Sequence, residues 1–141
     1  MRTLFFFIAA MAAAIVAPAQ DADPLKKGQQ VYVEMNSANE NALEVKNTFT
    51  DGLKDWGYWT VVDDKSKAGL VIVLQAQASK GITATSWGGT SVAGNMLLLA
   101  GDKTIWESDT FKSSPNGTNG FNSKKTVAKK MLRAVQKKVG K

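Results

Sequence analysis

Apolar positions recur along this chain with two periods, and the switches between them mark the elements. Residues 30–36 read QVYVEMN. Val31, Val33 and Met35 alternate with Tyr32 and Glu34, and a period of two puts each set on its own face of a strand. Ala42, Val45, Phe49, Leu53 and Trp56 then follow at spacings of three and four, which is one apolar stripe on a helix. Ser37 or Asn39 offers an oxygen to a free amide of the first turn. Glu40 and Glu44 sit where the helix dipole favours anions. Gly57 directly follows the stripe and suits the left-handed turn that ends a helix. Gly52, inside the stripe, costs about 1 kcal/mol against Ala. It either weakens the helix or marks a close contact.

The period then returns to that of strands. Residues 58–63, YWTVVD, are aromatic and β-branched, and residues 63–66 are a turn. Residues 68–77, AGLVIVLQAQ, hold the apolar run 70–74. Its lack of alternation predicts a strand covered on both faces. Residues 79–94 are polar and carry Gly81, Gly88, Gly89, Gly94 and Trp87. They read as a long hairpin region with a mobile tip. Residues 95–100 and 104–111 are two strands around Gly101-Asp102-Lys103, a short connection of hairpin type. Residues 113–122 are a loop by composition. In the last helix, capped by Asn122 or Ser123, Val127, Met131, Ala134, Val135 and Val139 share one side, with Leu132 at its margin. Lys129, Lys130, Arg133 and Lys137 take the other side. The order is β-α-β-β-β-β-α. Two helices with one apolar stripe each can share one sheet face. The predicted fold is an α+β two-layer sandwich, a mainly antiparallel sheet with both helices on one face.

Residues 1–19 precede this pattern. Arg2 gives a positive start, residues 4–16 are an uncharged apolar run, and Ala17-Pro18-Ala19 offers small residues for cleavage. These are the three parts of a secretory signal peptide, and the run is short of the roughly 20 residues a spanning helix needs. The expected organisation is a signal peptide over 1–19, a flexible segment over 20–29 and a single domain over 30–141. The expected location is outside the cytoplasm, most simply a bacterial periplasm, with no transmembrane segment in the mature chain.

Composition narrows the chemistry. The chain has 141 residues, a net charge of +6, and neither Cys nor His. Disulfides, thiolate nucleophiles, Cys/His zinc sites, His-based triads and an N-terminal lipidated Cys are all excluded. Residues 122–141 carry eight Lys or Arg and no acid, whereas residues 20–121 carry nine Lys against twelve acids. The basic character therefore belongs to the last helix.

Several segments together resemble a known family. They are the opening VYVEMN, the helix end Leu53-Lys54-Asp55-Trp56-Gly57, the YWTVVDD that follows, then AGLVIVLQAQ and the late GDKTIWESDTF. Over residues 30–139 the chain resembles the N-terminal domain of TolB and related envelope proteins, including the penicillin-binding-protein activator LpoB. It is also similar to a broad group of small bacterial lipoproteins of unknown function. The resemblance implies an accessory role by protein–protein contact without catalysis. The lipid-bearing Cys of many relatives has no counterpart here.

Few residues suggest reaction chemistry. Glu107 and Asp109 lie two apart on a predicted strand and so share a face, the placement a pair of hydrolytic carboxylates would need. An exposed strand face gives the same spacing by alternation alone. Ser66-Lys67, Ser79-Lys80 and Ser123-Lys124 are neighbours in sequence only. Gly88-Gly89 lacks the context of a phosphate loop. No cofactor and no metal is expected. Asn116-Gly117-Thr118 matches a glycosylation sequon, without meaning in a bacterium. Trp87 is a candidate contact residue, since Trp is enriched at binding hot spots. The same Trp would otherwise fold onto the sheet. Lys129, Lys130, Arg133 and Lys137 are the other candidates, and the alternative for them is a merely solvated face. Their partner is another envelope protein or, in the second reading, an anionic envelope polymer or lipid surface. Export disfavours nucleic acid.

Overall fold

The computed structural model describes residues 23–80, 90–115 and 122–140. The expected signal peptide, Trp87 and the sequon lie outside the described residues. The elements are β1 (Gln30–Met35), α1 (Glu40–Trp56), β2 (Thr60–Val61), a 3-10 turn (Lys65–Lys67), β3 (Leu70–Lys80), β4 (Thr90–Ala100), β5 (Lys103–Glu107), β6 (Phe111–Ser113) and α2 (Ser123–Val139). The α+β class stands as expected. One open mixed sheet runs β2-β1-β3-β4-β5, and β6 also pairs with β4. β1 is parallel to β2 and β3, and the other three pairings are antiparallel.

One sheet face is built from Val31 and Val33, then Leu70, Ile72, Leu74 and Ala76, then Val92, Met96 and Leu98, all buried. The apolar stripes of both helices close over it. Ala42, Val45, Phe49 and Leu53 come from α1, and Val127, Ala128, Met131 and Val135 from α2. Asn39 caps α1, accepting from the Ala42 N–H at 2.8 Å, while Ser37 Oγ accepts from Asn39 Nδ2 at 2.7 Å. Gly57 ends it at φ 65°. Asn122 caps α2 through the Lys125 N–H at 2.9 Å. Beyond α1, Trp56 stacks on Tyr58 with centroids 4.9 Å apart and meets the edge of Trp59. Trp59 Nε1 donates to the Lys26 carbonyl, the Gly28 N–H donates to the Tyr58 carbonyl, and Leu25 packs on the core. These contacts tie residues 23–29, read from sequence as a flexible lead-in, to the end of α1.

Three expectations are corrected. β3 is not covered on both faces by helices. Among the described residues no helix covers its second face, where Val71 is buried opposite Leu99 and Val73 is half-buried opposite Leu97. The hairpin arms run further than expected, to Lys80 and from Thr90, because Gly94 continues the strand. It lies opposite Ala76, where a side chain on β4 would strike α2. The single strand expected over 104–111 is two, so the chain carries one strand more than predicted. Buried Ser108 makes the break. Its Oγ accepts from the Met96 N–H at 3.0 Å and donates to the Asp109 carbonyl at 2.9 Å. A side chain thus takes over one ladder partner, which lets the backbone turn.

The link from β2 to β3 crosses β1. Asp64 caps its 3-10 turn, accepting from the Ser66 N–H at 2.9 Å and the Ser66 hydroxyl at 2.7 Å. These two bonds, the hydroxyl's first, hold the Asp64 carboxyl below its ordinary 3.8. Lys65 meets Glu34 on β1 at 2.6 Å, and that hydrogen bond, then the carboxylate's charge, raises the ammonium above 10.5.

Two glycines at helix contacts separate by what they face. At Gly94 an added Cβ would lie 2.8 Å from the Gln75 carbonyl oxygen and 2.6 Å from Met131 Cε. Backbone cannot yield, so Gly94→Ala is expected to lose about 1–3 kcal/mol in urea melts. At Gly52 the obstacle is the end of the Leu132 side chain, at 2.6 Å. A rotamer change there, offset by better helix propensity, keeps Gly52→Ala within about 1 kcal/mol of the wild type. The depressed Asp64 gives a pH signature. Its contribution is complete above 3.8, the unfolded value, and is lost as pH falls through the lower folded value. The stability difference between wild type and Asp64→Ala should be flat from neutral pH down to that range and vanish in acid.

Candidate binding groove

The basic helix α2 lies between two different neighbours, and they divide its charge. Towards α1, Lys124 forms an ion pair with Glu44. Lys125 and Lys129 flank a groove shared with Asp51 and Asp55 of α1, above Gly52 and Leu132. The helices come close here because position 52 has no side chain. The cations on this flank face carboxylates.

The other flank faces β5 and β6. Lys130, Arg133, Lys137 and Lys138 stand along one wall, with Trp106, Asp109 and Phe111 opposite. The space between them is about 600 Å³ and includes Ala134 on the helix side. Ala134 is a small side chain among long ones on that wall. Trp106, Phe111 and Ala134 are half-buried against the core. Lys130 Nζ donates to the Lys112 carbonyl at 2.8 Å, which fixes that ammonium to β6. Among the described residues, Arg133, Lys137 and Lys138 have no ion-pair partner. Among the described residues, four cations therefore meet one carboxylate, Asp109, beside apolar lining.

The fold around this groove has counterparts. Other bacterial proteins of solved structure share it, a minor lipoprotein among them. A PelC dodecamer from Paraburkholderia phytofirmans matches with a TM-score of 0.59 at 15% identity, over 79% of this chain and 90% of that one. A Xanthomonas campestris protein of the family model DUF330 gives 0.57 at 11% identity, over 85% and 88%. A minor lipoprotein from Acinetobacter baumannii gives 0.50 at 8% identity, over 78% and 94%. No family model matches this chain, and no curated protein does. Identities this low carry the fold alone. Among the described residues, no helix is long and apolar enough to cross a membrane.

Of the residues singled out in the sequence, Lys130, Arg133 and Lys137 come together, and Lys129 goes to the α1 flank. About 100° of helix rotation between adjacent positions accounts for the split. Glu107 and Asp109 do not share a face. Glu107 is opposite Leu97 on the open face, where its Oε1 accepts from Asn95 Nδ2 at 3.4 Å. Asp109 lies in the groove on the helix side. A carboxylate pair is thereby removed. The break at Ser108 also explains why the aromatics were missed. Trp106 and Phe111 are five residues apart, an odd spacing that puts them on opposite faces of an unbroken strand. The break brings both to the groove. Lys138 had a signal, since it stands four residues beyond Ala134.

Exposed and without an ion-pair partner among the described residues, Arg133 and Lys137 add little to the fold. Arg133→Glu combined with Lys137→Glu is expected to leave the melting free energy within about 0.5 kcal/mol of wild type. Circular dichroism during urea unfolding measures this.

Proposed function

We propose that this chain is a non-catalytic accessory domain of the bacterial envelope that binds another envelope protein, with the groove between α2 and the β5–β6 edge as its contact surface. The uncompensated charge carries this reading. The cations along α2 facing α1 are balanced by that helix's acids, whereas Lys130, Arg133, Lys137 and Lys138 surround an apolar hollow with a single acid across it. Such an arrangement selects an acidic surface and supplies burial for affinity.

Three further observations support it. The signal segment read over 1–19 directs the chain out of the cytoplasm. The likeness to TolB and LpoB read from the sequence, and to a minor lipoprotein in fold, fits an envelope accessory role. PelC, with the same fold, assembles as a dodecamer and so uses this scaffold for protein contact. Catalysis finds no support in Glu107 and Asp109, which point to different faces. The groove also offers a protein segment apolar surface to cover, in Trp106, Phe111 and Ala134, beside the cations.

Affinity capture from the source envelope, with wild type beside Arg133→Glu/Lys137→Glu, tests the proposal. A discrete protein held by the wild type at about 0.3 M salt, where the Debye length is only ~5–6 Å, and weakened at least tenfold by the double variant is the expected result. Recovery of lipid or wall polymer alone, and only at low salt, would replace it with the peripheral-binder reading.

A further inference from the structure

The groove is not a plain basic patch. A solvated lysine face needs no aromatic lining, and this one has two half-buried rings across from a small residue of the helix. Trp106 comes from β5, Phe111 from β6 and Ala134 from α2, so three separate elements converge on the hollow. Its volume, about 600 Å³, lies within the range of about 300–1,000 Å³ of formed ligand sites. Apolar surface left open between charged walls is favourable to cover.

We infer that the hollow takes one large apolar side chain of an acidic peptide segment, whose flanking carboxylates pair with Lys130, Arg133, Lys137 and Lys138. This rests on the reading of the groove as a protein contact and adds what the partner must present there. The anchor seats over Ala134, between Trp106 and Phe111. Arg133, with its forked donors, is the best placed chemically for a carboxylate on the solvent side. Asp109 stands against a pure polyanion, since it repels unbroken negative charge, and it accepts from the N–H groups of a peptide. An anionic polysaccharide has donors for Asp109 but offers no large apolar side chain to anchor in the hollow. Central burial ringed by charge is also how a few residues come to dominate protein interfaces.

Calorimetric titration of the full chain tests this with three probes. One is an acidic peptide of about ten residues with a single central Phe, the second is the same peptide with Gly at that place, and the third is polygalacturonate. The Phe peptide should bind at least about tenfold tighter than the Gly peptide. Ala134→Leu, which fills the hollow and keeps every charge, should bring the Phe peptide down to the Gly peptide's affinity. Arg133→Glu/Lys137→Glu should remove both. If Ala134→Leu fails to fold, the comparison of the two peptides on the wild type still decides. Equal affinity for the two peptides overturns the anchor, even where envelope capture still yields a groove-dependent protein. Tighter binding of polygalacturonate than of the Phe peptide overturns the anchor and the protein-contact reading together.

Discussion

The seat of α2 on β4 fixes the geometry of everything else in this molecule. Gly94 interrupts the side-chain row of β4 directly beneath Met131, and the space has no room for a Cβ. Met131 is wholly buried as a result, and the helix sits low over the sheet. Close-packed interiors transmit such a constraint over distance. With α2 held down along this line, its two flanks must face different elements, α1 on one side and the β5–β6 edge on the other. A second close approach, Leu132 over Gly52, sets the spacing to α1.

That seating sorts the charge. A helix with cations on all of its exposed side would be strongly self-repelling in isolation. Here the acids of α1 meet the cations on one flank, with Lys124 paired to Glu44 and Lys129 near Asp51 and Asp55. The surplus is left on the flank that borders Trp106 and Phe111. Charge and apolar surface are brought to one groove by the same packing that builds the core. The fold does not draw on that charge, since Arg133, Lys137 and Lys138 have no ion-pair partner among the described residues.

Ser108 is the second pivot, and a small one. Its hydroxyl takes the Met96 amide that a continuing strand would have paired. The backbone after Glu107 turns, and every residue beyond it changes face relative to simple alternation. Phe111 is brought to the helix side and Asp109 into the groove, while Glu107 stays on the open face. One buried side-chain hydrogen bond thus converts what reads as a carboxylate pair into an aromatic pair with a single acid.

The sequence by itself determined the elements that depend on periodicity and caps. The stripe from Ala42 to Leu53, the alternation of Val31 and Val33, caps at Ser37 or Asn39 and at Asn122 or Ser123, and the stop at Gly57 are all local, because each rests on residues within a few positions of one another. The basic character of the last helix was equally plain, being a matter of composition. Only the tertiary structure decided which cations face acids and which do not. Lys129 and Lys130 are adjacent and chemically alike, yet one faces acids and the other an aromatic hollow, because helix rotation turns them to different neighbours. Nor could spacing show that Trp106, Phe111 and Ala134 meet. Their meeting depends on a strand break made by a long-range hydrogen bond and on a helix seated over a glycine, and no local pattern encodes a contact between segments that distant.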